Sequence, residues 1–116
     1  MTPRESTLMH GLVDWVSLDR IHSDVGQSNP RATLPQIRED TLDLVRSLVE
    51  PRLFELGEVT DTEVFSPWTE SLDQAMEKLR HTYVENFAAE EVWPWCCRLN
   101  LTPEGERRAQ STQQDQ

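Results

Sequence analysis

LPQIREDTLDLVRSLVEPRLFELGEVT, residues 34–60, reads as one helix running into one strand. Thr33 is placed to cap the helix, and Pro35 falls in its first turn, where the missing N–H costs nothing. Leu34, Ile37, Thr41, Leu42, Leu44, Val45, Leu48 and Val49 then occupy slightly under half of a helical wheel, a face wide enough to serve as the centre of a small core. Pro51 stops the helix. Beyond it Phe54, Leu56 and Val59 give the alternation of a short strand, and Gly57 predicts a turn or bulge within it.

Working back from this stretch, Leu8, Met9, Leu12, Val13, Trp15 and Val16 share one arc and predict a first helix over Ser6–Val16, with Trp15 in the core. Ser17 is a good N-cap, and Leu18, Ile21 and Val25 predict a second helix from Leu18 to about Asp24, closed by Gly26. The run GQSNPRAT (26–33) is a loop.

Working forward, Ser71 and Gln74 stand in capping-box relation. Leu72, Ala75, Met76, Leu79, Tyr83 and Phe87 give the helix behind them an apolar side. Trp93, Trp95, Cys97, Leu99 and Leu101 alternate as a second strand, with Pro94 requiring an edge or a strand start. Thr102 and Pro103 repeat the cap logic of Thr33 and Pro35, so a short last helix starts there, weakened by Gly105; residues 109–116 have nothing to bury and read as a disordered tail.

The expected fold is therefore mainly α with a small antiparallel β-sheet, an α+β domain over residues 1–108. At 116 residues one domain suffices, and it is large enough to fold without staples. A three-helix core with a small sheet is the pattern of a winged-helix domain, here with an acidic helical insertion at residues 61–94 between the two strands. Cys96 and Cys97 are adjacent, lack the spacing of a metal or redox motif and read as reduced thiols. No apolar run approaches the ~20 residues of a membrane span, and MTPREST lacks the features of a signal peptide, so the expected location is cytoplasmic with no membrane partner.

The ending RLNLTPEGERRA resembles the segment that leaves the wing in MarR- and PadR-type transcription regulators, and VSLDRI resembles the second helix of a helix-turn-helix. The chain is also similar, over residues 12–108, to short actinobacterial proteins of unknown function. The shared elements are a W-V-x-L-x-x-I start, a central T-L-x-L-[IV]-R-x-L-[LV] helix, an F-x-P-W turn and an L-T-P-E-G ending. The regulator resemblance implies a winged-helix fold and DNA binding; the second implies no function.

Charge opposes that implied activity. There are 21 acidic against 11 basic side chains, a net of −10. A groove-reading helix should show Arg, Lys, Asn or Gln to solvent, whereas the expected outer face of the third helix is Gln36, Glu39, Asp40, Asp43, Arg46, Ser47 and Glu50, with Arg38 at its margin. Those carboxylates would lie within a Debye length, roughly 8 Å at physiological salt, of the phosphates. Residues 61–94 hold two basic and eight acidic groups, so a wing that normally grips the backbone would repel it.

Reactive groups are sparse. His10, His22 and His81 are far apart, and surface pairing of His10 with Asp14 and of His81 with Glu77 and Glu85 accounts for two of them. No phosphate loop, nucleophile elbow or zinc motif is present. The expectation is a non-catalytic interaction module with no cofactor and no metal, binding a basic protein partner, with an immunity- or antitoxin-like inhibitor as one concrete form. Its contact residues would be Glu63, Trp68, Glu70, Asp73 and Glu77, with Trp68 as an exposed anchor. The alternative is a winged-helix regulator reading DNA through Arg20, Arg31, Arg38 and Arg46.

Overall fold

The computed structural model describes residues 2–60, 62–85 and 96–114. The elements are α1 (Pro3–Gly11), β1 (Val16–Ser17), α2 (Leu18–Ser28), α3 (Leu34–Val49), β2 (Phe54–Val59), β3 (Phe65–Pro67), α4 (Leu72–Leu79) continued by a π-helical turn (Arg80–Glu85), β4 (Arg98–Leu101) and α5 (Pro103–Gln114). The architecture is α+β: mostly helix, with one antiparallel sheet in the order β1-β4-β2-β3.

The central stretch folds as its periodicity requires. Thr33 caps α3 by accepting from the Gln36 amide, and Thr41, Leu42, Val45 and Leu48 are buried. Leu34 is an exception at 41% exposed, because it precedes the first full turn that faces the core. Val16, Leu18, Ile21 and Val25 from β1 and α2, Phe54 and Leu56 from β2, Met76 and Leu79 from α4, Tyr83 from the π turn and Leu99 from β4 complete one core.

The bounds of two helices and the number of strands differ from the sequence reading. The first helix runs Pro3–Gly11 rather than Ser6–Val16: a capping box of Thr2 and Glu5 starts it early, and beyond Gly11 the chain turns so that Val16–Ser17 can pair with Arg98 and Leu99. Val13 is consequently 84% exposed, and Trp15 is only half-buried, stacked on Phe65 with ring centroids 6.4 Å apart. The second helix passes through Gly26 to Ser28, capped at its end by Asn29. Two strands were expected and four form, because Val16–Ser17 and Phe65–Pro67 are too short for alternation to reveal.

At Gly57 there is neither turn nor bulge. The strand continues, with Gly57 opposite Arg98 on one side and Pro67 on the other; a Cβ there would stand 2.3 Å from the Ser66 carbonyl oxygen. The chain end also departs from expectation. Residues 109–114 belong to α5 rather than to a disordered tail, since α5 packs on α1 and Ala109 is fully buried.

The last helix is locked to the end of α3. The Thr102 hydroxyl donates to the Leu53 carbonyl at 3.0 Å and accepts from the Gly105 amide at 3.0 Å, while the Thr102 amide donates to the same Leu53 carbonyl at 3.0 Å. Gly105 lets this happen, because a Cβ in its place would meet the Leu53 carbonyl oxygen at 2.0 Å. Arg52, at φ 63°, makes the reversal between Pro51 and β2. The LTPEG ending is thus a seam between α5 and the α3–β2 corner. Phe87, Trp93, Pro94, Trp95 and the acidic Asp61, Glu90 and Glu91 of the predicted insertion lie outside the described residues.

Candidate interaction surface

The segment after β2 is built as a hairpin and a helix. Thr60 and Val64 close the hairpin, with the Thr60 amide donating to the Val64 carbonyl at 2.9 Å, and Glu63 takes φ 60° at its tip. Ser71 and Gln74 form the expected capping box at the start of α4. Ala75, Met76, Leu79 and Tyr83 turn inward, which leaves Asp73, Glu77 and Lys78 outward.

These residues do not all share one face. Glu63 stands at the hairpin tip, beside His10, Asp14, Trp15, Arg20 and Arg98 around a cavity of about 600 Å³. Asp73 and Glu77 face α3 instead, around a smaller hollow of about 250 Å³ with Leu42, Asp43, Arg46, Met76 and Arg80. Between them Trp68 is half-buried rather than an exposed anchor. Its indole N–H donates to Glu58 Oε1 at 3.0 Å, and the Lys78 ammonium sits 4.0 Å from its ring centroid. Lys78 also reaches Glu70 at 3.6 Å and Glu58 at 3.9 Å, so Glu70 belongs to this cluster.

The arginines are dispersed. Arg20 on α2 lies 3.7 Å from Asp24, and Arg31 is exposed in the loop before α3. Arg38 is half-buried, close enough to His22 and Tyr83 for its charge to bear on both. Arg46 donates to Asp73 at 2.9 Å. About two turns back toward the start of α3, Arg80 forms a two-pronged bridge to Glu39 at 2.6 and 2.8 Å, which holds the Glu39 carboxyl below the usual carboxylate range and raises Arg80. Glu39 and Arg46, both on the expected outer face of α3, are therefore engaged by the α4 segment. Asp43, Glu50 and Glu77 carry no ion pair among the described residues.

A second junction between that segment and the helical core is buried. The Tyr83 hydroxyl, on a side chain 0% exposed, shares a hydrogen bond with His22 Nδ1 and reaches the Thr41 side chain. Burial pushes the tyrosine up to about 12 and lowers His22 from its ordinary value, with Arg38 lowering it further against an opposing Asp19. His22 thus has a structural partner sixty-one residues away that helical spacing could not reveal. His81 does pair with Glu85, at 2.8 Å, as its spacing suggests.

Among the described residues no group of three or more His, Cys, Asp or Glu side chains is arranged to hold a metal ion, and no helix is long and apolar enough to cross a membrane. Comparison with protein-family models, with curated proteins and with solved structures finds no match to this chain. The sequence reading missed Glu58, Lys78, Glu39 and Arg80 as members of the surface. Their pairings span up to forty-one residues, and no local pattern signals them.

Proposed function

We propose that the chain is a non-catalytic interaction module on a winged-helix-like scaffold and that it takes a basic protein partner on the acidic ridge formed by α3 and α4. One observation carries this reading: Arg46 and Arg80 are committed to internal partners, Asp73 and Glu39, while Asp43, Glu50 and Glu77 form no ion pair among the described residues. Net negative charge is therefore what an approaching surface meets. Complementary charge speeds encounter and sets register, and a rim of this kind suits an inhibitor that covers a cationic cleft, as an immunity- or antitoxin-like protein would. Glu70, Asp73 and Glu77 line the ridge and its flank, Trp68 stiffens it through Lys78, and Glu63 extends the acidic surface to the hairpin tip.

The alternative is a winged-helix DNA-binding regulator, favoured by the order of three helices followed by paired strands. It would need α3 released from Arg80 and Asp73, and Arg20, Arg31, Arg38 and Arg46 gathered on one side.

Affinity capture from host lysate, comparing wild type with a variant carrying lysine at Glu63, Glu70, Asp73 and Glu77, separates the readings. The module reading expects one reproducible basic partner, lost in the variant and at high salt. Capture that ignores the charge reversal sinks it, and a sequence-dependent gel shift at physiological salt would establish the alternative.

A further inference from the structure

A cavity of about 710 Å³ opens between β2, β3 and the starts of α4 and α5, and none of Glu39, Arg46, Asp73 or Arg80 borders it. Its volume falls within the roughly 300–1,000 Å³ of small-molecule sites. Phe54, Leu56, Pro67, Trp68, Leu72 and Ala75 supply an apolar wall, and Phe54, Leu56 and Ala75 also belong to the core, so the wall is held in place. Charged groups stand along the rim, and most already have partners: Glu104 pairs with Arg107, and Glu70 lies 3.6 Å from Lys78. Arg52 and Glu55, both exposed and three residues apart, enter no ion pair among the described residues. We propose that this cavity binds a free α-amino acid with a large apolar side chain, its carboxylate on Arg52, its ammonium on Glu55 and its side chain against Trp68 and Leu72.

The chemistry of wall and rim together selects that class. Hydrocarbon and indole favour a ligand that withdraws apolar surface from water, and they offer nothing to a wholly polar solute. Unpaired charges of opposite sign on one rim favour a ligand that carries both signs close together, because each charge then meets its complement. A simple amine or acid would meet one and leave the other. In a peptide the ammonium and carboxylate lie at opposite ends of the chain, whereas a free amino acid brings both to one rim. Reach is sufficient, since three residues span at most about 10 Å of backbone and both side chains are long. The base of Arg52 is also held: its amide donates to the Val49 carbonyl at 2.9 Å, and the Thr102 hydroxyl lies 2.5 Å from its carbonyl oxygen.

Isothermal titration calorimetry of the full chain with L-phenylalanine, phenethylamine, 3-phenylpropionate and glycine tests the assignment. L-Phenylalanine is expected to bind at least about tenfold more tightly than either single-charge analogue, the factor that one charge-assisted hydrogen bond supplies. Glycine, with both charges but no apolar body, should give no binding heat. Arg52→Asn introduces a side chain that tolerates the left-handed backbone at this position; it should weaken L-phenylalanine about tenfold and leave phenethylamine unchanged. Glu55→Gln should weaken L-phenylalanine as much and leave 3-phenylpropionate unchanged. Both positions are exposed, and thermal melts establish that each variant remains folded. No binding of L-phenylalanine at millimolar concentration overturns the proposal, as do single-charge analogues that bind equally well or variants that match wild type.

Discussion

Two seams join distant parts of this chain, and they are built from opposite materials. Between α5 and the α3–β2 corner, Thr102, Gly105 and the Leu53 carbonyl form a buried contact in which a backbone oxygen occupies the space that a side chain would need. Between α3 and α4 the outer contacts are Glu39–Arg80 and Arg46–Asp73, whose side chains all keep 40% or more of their surface in water. The first seam cannot shift without leaving polar groups unsatisfied, whereas the second can exchange each bond for water at small cost. Rigidity is concentrated at one end of the central helix and exchangeable charge lies along its side. In the proposed reading, a partner competes for the side without disturbing the end.

Substitution at the closed seam should have the largest effect. Gly105→Val is expected to destabilise the domain by about 3 kcal/mol or more, a fall of more than about 10 °C in melting temperature, because its Cβ would stand 2.0 Å from the Leu53 carbonyl oxygen. A loss below about 0.5 kcal/mol by denaturant titration would erase the contrast between the seams. The buried centre of the second seam comes next: Tyr83→Phe removes the hydroxyl shared by His22 and Thr41 and should cost about 1–2 kcal/mol.

The same junction makes stability depend on pH. His22 is lowered in the folded protein from 6.5, so the native state binds fewer protons than the unfolded chain; its contribution is complete above that value and is lost as pH falls through the lowered one. Tyr83, raised from 10.0 to about 12, behaves oppositely: its contribution is complete below 10.0 and is lost as pH rises toward about 12. Unfolding titrations of His22→Gln should show a shallower acid limb than wild type, and an unchanged limb would assign the acid sensitivity elsewhere. The smallest effect belongs to the exposed bridge. A double-mutant cycle on Glu39 and Arg80 should return a coupling of about 0.5 kcal/mol that fades with salt; a coupling above about 2 kcal/mol would show the two seams to be alike.

Local patterns were legible wherever a residue acts on its near neighbours. The caps at Thr33 and Ser71, the inward set of α3 and the inward Cys97 and Leu99 all follow from spacing. Gly57 was misread because a glycine in a strand signals either a bulge or a close approach, and only the presence of β3 decides between them. Ala109 looked expendable in a polar tail, yet it is buried in the core where α5 packs on α1. Trp68 looked like an anchor because its own neighbours are polar, while Lys78 and Glu58, ten residues away on either side, were already placed to receive it.

By itself the sequence determined where α3 begins and ends, the thiol pair and the acidic excess, since these depend on covalent neighbours, periodicity and counting. Only the tertiary structure decided which charges remain available. Glu39 and Arg46 lie on the outer side of α3 in any helical wheel, but Arg80 and Asp73 reach them across twenty-seven to forty-one residues. Ion pairing depends on distance in space, and that distance is set by how α4 packs its apolar side against the core, through Met76, Leu79 and the Tyr83 that follows.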